Sequence, residues 1–439
     1  MSTTLQRPEK GEEFFFYTDR KGGCSLESFA LQMKEPLDEK ILEKALDKAV
    51  SCFPLFGMKP VIGRDGYLYL KENHLPCKLY ARNQGVWHLG SEETNGYLFR
   101  VICDGTFVSV RAHHSLGDGR TIIAFTMTLI YYYLQLSGVQ VESEGKIYTE
   151  EDRNDPTLLA SFLKDAGTVE IGEPHDVYIP QNVFVCPDDS CQDDRKPLQY
   201  RIRWKNQELL ERVHALQVKA TAFLAAVVDS ALLEMFEIAD QHIVTGIPVD
   251  MRSRMKKKSQ RNYIGNIRLP YYPEYRNLPF EEQVRRLQQD MDVQMDMANM
   301  ISRARELEHV VDRVIKGPLV EQNPAQGEAR PAAREKGMAA QTIMLTNTGK
   351  VSLPKQMEDA IDDLVLACLR ENMLMSVVSS FRDQGNMLIR HDQYAEKLSQ
   401  GICKILKENG ISAEYEPVTA EREEERMDFN RFEKVCEAE

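Results

Sequence analysis

Long hydrophobic runs are missing from this sequence. No stretch approaches the roughly 18–20 uncharged apolar residues of a membrane-spanning helix, so a helical membrane span is excluded. The opening residues, MSTTLQRPEKGEEFFFYTDR, hold no apolar run of signal-peptide length after a basic segment. Positive charge is short as well: 55 Lys and Arg against 68 Asp and Glu leave a formal net charge of −13. General nucleic-acid binding needs basic surface to neutralise phosphates, so that class is excluded too. Cysteine is sparse and scattered. Of nine, Cys186 and Cys191 are the nearest pair, and no second pair completes a metal set. An odd count with no secretion signal implies reduced thiols, and a cytoplasmic protein is expected.

What is present is a substantial apolar fraction, 42%, in a length that allows two large units or one elongated domain. Residues 38–52, DEKILEKALDKAVSC, set Ile41, Leu42, Ala45, Leu46, Ala49 and Val50 at helical spacing. Asp38 can cap that helix, and Pro54 lies just past its end. GYLYLKE reads as a strand after an Arg64-Asp65-Gly66 turn, and LFRVICDGTFVSVRA as a hairpin turning at Asp104-Gly105. Residues 121–136, TIIAFTMTLIYYYLQL, form a long apolar helix whose tyrosines belong to packing. From 138 to 200 the periodicity fades into a connector with short elements.

A second body begins near Tyr200. RIRWKN and HIVTGIPVDMR read as strands, QELLERVHALQ and ATAFLAAVVDSALLEMF as helices, and residues 280–315 as one charged amphipathic helix. GPLVEQNPAQGEARPAAREKG is a loop by composition. QTIMLTNTG is a strand, and MLMSVVSSFRDQGNMLIRHD a hairpin turning near Asp383-Gln384-Gly385-Asn386. The acidic end, EYEPVTAEREEERMDFNRFEKVCEAE, reads as a solvated helix or a frayed tail. Both halves mix strands and helices, which predicts an α/β (α+β) protein of two lobes. The expected division is an N-terminal lobe over 1–190 with a connector from about 138, a C-terminal lobe over 191–415, and an acidic tail over 416–439.

Two of the nine histidines stand side by side in RAHHSLGDGR, residues 111–120. Residues 107–112 alternate as a half-buried strand does, so the pair lies at a strand end, where side chains can be held over a cleft. Neighbouring strand residues point to opposite faces, so His113 and His114 cannot share one task. A histidine there can act as a general base near neutral pH. Gly117 and Gly119 allow a tight backbone path around Asp118. A His with an Asp nearby is usually a surface pair or a satisfied buried histidine. The whole H-H-x-x-x-D-G string at a strand-to-helix junction is far more specific. Cys103, on the same hairpin, admits a Cys/His nucleophile, although a small buried thiol is the commoner case. RMKKKSQR, residues 254–261, is the one dense basic cluster, a solvated loop or a seat for phosphates.

HHSLGDG resembles the H-H-x-x-x-D-G signature of the chloramphenicol-acetyltransferase-like superfamily, which includes condensation domains of nonribosomal peptide synthesis, plant-type O-acyltransferases and standalone bacterial acyltransferases. The likeness extends over most of the chain. LDEKILEKALDKAVSCFPLF is similar to that family's first helix, GIPVDMR to its strand ending in arginine, NYIGNIRLP to a glycine-asparagine segment, and MLTNTGKVSLP to its Ser/Thr-Asn-x-Gly strand end. The plant-type D-F-G-W-G motif is absent. The resemblance implies two similar mixed-sheet lobes in a V-shaped pseudo-dimer with an active-site tunnel between them. It implies acyl transfer from a thioester to a hydroxyl or amine, with His114 as the base, His113 in support, and Asp118 paired with Arg252 (Arg254 being the fallback). Candidate oxyanion or substrate residues are Gly117, Thr346 and Asn347; Asn347-Thr348-Gly349 also reads as a plain turn. Lys256, Lys257 and Lys258 are candidate donor-binding residues. The donor, acyl-CoA or a phosphopantetheine thioester, is a co-substrate; no metal and no permanently bound cofactor are expected. The implied partners are a small alcohol or amine acceptor and, for a carrier-borne donor, an acyl carrier protein in trans. A hydrolytic or non-catalytic member binding a thioester or hydrophobic ligand in the same tunnel is the alternative.

Overall fold

Two separate hydrophobic cores organise the chain, one around Leu42, Leu46 and Phe125, the other around Phe223, Leu232 and Ile267. The computed structural model describes residues 5–435 except 20–23, 83–84, 179, 188–198, 316, 320–340, 370–373, 392 and 419–422. Most of the loop read at 317–337, and Cys191, lie outside the described residues.

The first lobe is built on a five-stranded sheet in the order Ile361–Leu369, Leu26–Met33, Phe107–His113, Phe99–Asp104, Leu79–Tyr80. Two helices pack together beside it. Glu39–Cys52 starts where Asp38 accepts from the Lys40 and Ile41 N–H groups, and it buries Leu42, Ala45, Leu46, Ala49 and Cys52 on one stripe. Gly119–Leu136 is apolar nearly all round and is buried accordingly. The hairpin turns where expected: Asp104 pairs Phe107, and Gly105 takes φ +58°, which glycine adopts without cost.

The second lobe is a seven-stranded mixed sheet in the order Ile264–Tyr271, Ile243–Asp250, Ile343–Lys350, Met375–Phe381, Gln384–Arg390, Gln199–Lys205, Ala413–Val418. Helices Ala220–Met235 and Ala395–Glu408 pack on one another and on this sheet. Among the described residues no single helix is long and apolar enough to cross a membrane.

Several expectations change. Residues 280–315 form two helices, Phe280–Gln294 and Met297–Val314, because Asp296 caps the second through the Ala298 N–H. The second hairpin turns at Arg382-Asp383, since Phe381 pairs Gln384. Gly385 therefore lies in a strand, and it is glycine for another reason: a Cβ there would sit 2.2 Å from Trp204 Nε1. The two lobes also exchange a strand. Ile361–Leu369 returns to pair with Leu26–Met33 in the first lobe's sheet. The described residues of 416–439 are not a free tail. Ala413–Val418 ends the large sheet, Glu423–Met427 runs parallel to Gly85–Leu89, and Glu433–Lys434 pairs Val61–Ile62.

Candidate active site

Strand Phe107–His113 ends at the first histidine, and residues His114–Leu116 make one tight turn before Gly117 and Asp118. Gly117 has φ +152°, and a Cβ there would lie 2.6 Å from the Thr121 Cβ, so no larger residue fits. Asp118 caps the Gly119–Leu136 helix by accepting from the Thr121 N–H at 3.1 Å.

The two histidines are held differently. His113 is fully buried. Its Nε2 lies 2.8 Å from Asp19 Oδ2 and its Nδ1 2.7 Å from Ser115 Oγ. Asp19 in turn accepts from the Ser25 N–H at 2.9 Å and from Ser25 Oγ at 2.6 Å. Both ring nitrogens of His113 are thus engaged, and it braces the loop. Asp19, Cys24 and His113 also bring ligand-type atoms within 4.8 Å of one another. The direct 2.8 Å contact is closer than two ligands of one zinc ion sit, so this group is a hydrogen-bonded brace.

His114 keeps a small opening, being 8% exposed. Its backbone N–H donates to the Ser25 carbonyl at 2.8 Å. The ring stacks on Phe15, centroids 4.0 Å apart and planes within 10°. Its Nε2 lies 3.2 Å from Glu27 Oε1, on the neighbouring strand. Phe15 belongs to the helix Lys10–Thr18, which also reaches the second lobe: Glu12 meets Arg261 Nη1 at 2.8 Å, and Lys10 meets Glu308 and Asp312. Burial pushes the Glu12 carboxyl up to about 7 against the pull of Arg261.

Asp118 faces away from the imidazole. Its Oδ2 accepts from the Tyr263 N–H at 2.8 Å and lies 2.9 Å from Arg252 Nη2. Arg252 is further fixed by Asp250 Oδ1 at 3.0 Å and by the Ser259 and Arg261 carbonyls at 2.9 and 2.8 Å. A planar five-donor fork suits such a junction. The pair joins the helix start of one lobe to the strand end of the other. Arg254 does not compete, because its guanidinium donates to the Met295 carbonyl.

The other candidates are placed less suggestively. The Gly117 N–H points at the His114 carbonyl, 3.3 Å away. Thr346 and Asn347 lie on the second-lobe strand Ile343–Lys350. The Asn347 side chain donates to Thr221 Oγ1 at 3.0 Å and accepts from the Gly349 N–H at 2.9 Å, the arrangement of a turn. Lys256, Lys257 and Lys258 are exposed in the loop after the short helix Arg252–Met255, with Lys257 3.8 Å from Asp165. Cys103 is buried in mid-strand, and burial pushes its thiol up to about 11, which leaves no thiolate at neutral pH. A cavity of about 240 Å³ is lined by Asp362, Asp363, Phe381, Arg382 and Asn386 and by no residue of the histidine motif.

Sequence reading missed Phe15, Asp19 and Glu27. The signal available was the aromatic triplet in EEFFFYTD, which sets apolar rings one helical turn from the acids that bond Arg261 and Arg7.

No family model matches the chain, and no curated protein does. Solved structures do. F. graminearum TRI101 complexed with coenzyme A and T-2 mycotoxin superposes with a TM-score of 0.60 at 11% identity, over 94% of this chain and 99% of that one. Polyketide synthase associated protein 5 from Mycobacterium tuberculosis gives 0.57 at 13% identity, over 93% and 99%. The chain has the chloramphenicol-acetyltransferase-like fold. The epimerization domain from the third module of tyrocidine synthetase B shares that fold at a TM-score of 0.54 and 10% identity, over 93% and 97% of the two chains. Identities this low establish architecture, and within the chloramphenicol-acetyltransferase-like fold the chemistry has to be argued from the site.

Proposed function

We propose that this chain is a cytoplasmic acyltransferase that moves an acyl group from a thioester, acyl-CoA or an acylated carrier protein, to a hydroxyl or amine, with His114 as general base. The observation that carries the reading is the division of labour in the motif. One histidine has both nitrogens engaged, the acid is turned away onto Arg252, and His114 alone retains some exposure at the junction of the lobes. The acceptor O–H or N–H gives its proton to His114 as the heteroatom attacks the thioester carbonyl. The tetrahedral intermediate then collapses, and the departing thiolate takes that proton back. An oxyanion forms in between and needs a donor; Thr346 is the remaining candidate side chain, since the Asn347 amide and the Gly117 N–H are already directed elsewhere. Coenzyme A bound to TRI101 in the same fold supports a thioester donor. The exposed Lys256, Lys257 and Lys258 are available to its phosphates.

The test is purified protein with acetyl-CoA and a panel of alcohols and amines, followed by free thiol. Thiol released only with acceptor present supports transfer. Thiol released without acceptor indicates a hydrolase, and none at all indicates a binding protein. His114→Ala should stay folded and lose on the order of 10²–10⁴-fold in transfer, the usual range for a lost general base. Full activity in that variant removes His114 from the role.

A further inference from the structure

We propose that Glu27 selects an acceptor that arrives as an ammonium ion, so that the nucleophile is an amine; this rests on the acyl-transfer reading above. Glu27 is buried at 6% exposure on strand Leu26–Met33, opposite Ala112 of the strand that carries the motif. Its Oε1 lies 3.2 Å from His114 Nε2, and the two side chains are 8% and 11% exposed. Its Oε2 borders Gly119, 3.6 Å from where a Cβ would stand, at the start of the Gly119–Leu136 helix. A carboxylate therefore stands directly beside the base.

That arrangement treats the two acceptor classes unequally. An alcohol enters neutral and develops negative charge on oxygen as it attacks. A carboxylate beside the base opposes that charge, the more so where water is scarce. An alkylamine enters as R–NH3+, which cannot attack until a proton leaves. Glu27 attracts the cation through a charge-assisted hydrogen bond and takes that proton, giving R–NH2 and a neutral carboxyl. The amine lone pair then forms the C–N bond. Its second proton passes to His114 and on to the departing thiolate, and Glu27 returns the first to solvent. The sum is R–NH3+ plus thioester giving amide, thiol and one proton. Two adjacent proton acceptors match the two protons an ammonium must lose, whereas an alcohol supplies only one. Phe15, stacked flat on His114, sets beside the pair an apolar ring that suits the amine's alkyl part.

The experiment compares wild type and Glu27→Gln with hexylamine and hexanol as acceptors and acetyl-CoA as donor. It also measures binding of hexylammonium by calorimetry to wild type and to Glu27→Gln. Wild type should favour hexylamine, and Glu27→Gln should lower the amine-to-alcohol ratio of kcat/KM and the hexylammonium affinity by about tenfold or more, the scale of one lost charge-assisted hydrogen bond. An unchanged ratio, or equal hexylammonium affinity with and without Glu27, overturns the assignment while leaving acyl transfer intact. If no transfer occurs to either acceptor, the acyl-transfer reading fails, and the calorimetry still decides whether Glu27 recognises the cation.

Discussion

Asp229 is a carboxyl group kept from water. It sits in the apolar helix Ala220–Met235 at 0% exposure, with Oδ1 accepting from Thr245 Oγ1 at 2.9 Å and no hydrogen-bond partner on Oδ2 among the described residues. Burial pushes its pKa up to about 8. The folded protein therefore holds a proton on Asp229 that the unfolded chain releases near pH 4. Between those values the native state binds more protons, so this group makes stability fall as pH rises, by about 1.4 kcal/mol per unit. Asp229→Asn should flatten that slope and leave the protein more stable than wild type at pH 7. Urea melts at pH 5 and pH 7 check this; an identical slope in the variant shows that Asp229 does not titrate in that window. At this scale the sequence was informative where chemistry is local. The bend around Asp118 and the engagement of one histidine were readable from the spacing of HHSLGDG. Glu27 was not, because its meaning lies in a strand pairing eighty-odd residues away in the chain.

The strand Glu423–Met427 shows how an element can be misread. EREEER looks like solvated surface by composition, and nothing nearby suggests otherwise. Its partners lie on the first lobe's sheet. Glu425, 1% exposed at its side chain, is 3.5 Å from Arg100 Nη2 and 3.2 Å from Arg111 Nη1. Arg100 is fully buried, with its guanidinium 4.3 Å from the Trp87 ring. Two buried cations thus face the buried Glu425 carboxylate, which draws the strand in. Glu425→Gln should lower stability, because it removes a buried charge that two buried arginines bond. Chemical denaturation measures that directly, and an unshifted midpoint means that the contacts of Glu425 do not hold the strand. The helix break at Asp296 is the milder case. The capping residue was in plain view, but the amphipathic pattern continues across it, so periodicity alone joined what the cap separates. Elements with their own turn chemistry, such as the Asp104-Gly105 hairpin, were legible for the opposite reason.

The whole molecule is held as two lobes by connections that cross between them. Ile361–Leu369 leaves the second lobe's run of chain to complete the first lobe's sheet, and helix Lys10–Thr18 bonds Arg261 at one turn and stacks on His114 at another. The family likeness made two lobes readable, whereas the strand exchange depends on long-range pairing that no local pattern encodes. Among these links Asp118–Arg252 is the one whose loss bears on the candidate active site, since Asp118 also caps the helix that follows the histidines. Asp118 is buried, so removing the Arg252 charge strands it, at a cost of about 3–5 kcal/mol, whereas Asp118→Asn leaves Arg252 paired with Asp250. The two losses need not be equal. Arg252 also holds the Ser259 and Arg261 carbonyls, and Arg252→Gln abandons those bonds, whereas Asp118→Asn keeps an oxygen for the Thr121 N–H. Arg252→Gln should therefore be the more damaging single change. The double variant should be no worse than Arg252→Gln alone, because the two changes remove one shared interaction. Transfer activity should fall with stability in each. Thermal melts and acceptor-dependent thiol release on the four proteins complete the cycle. Additive losses, with Arg252→Gln as stable as wild type, would show that the lobes are held elsewhere and that Asp118 acts on its own loop.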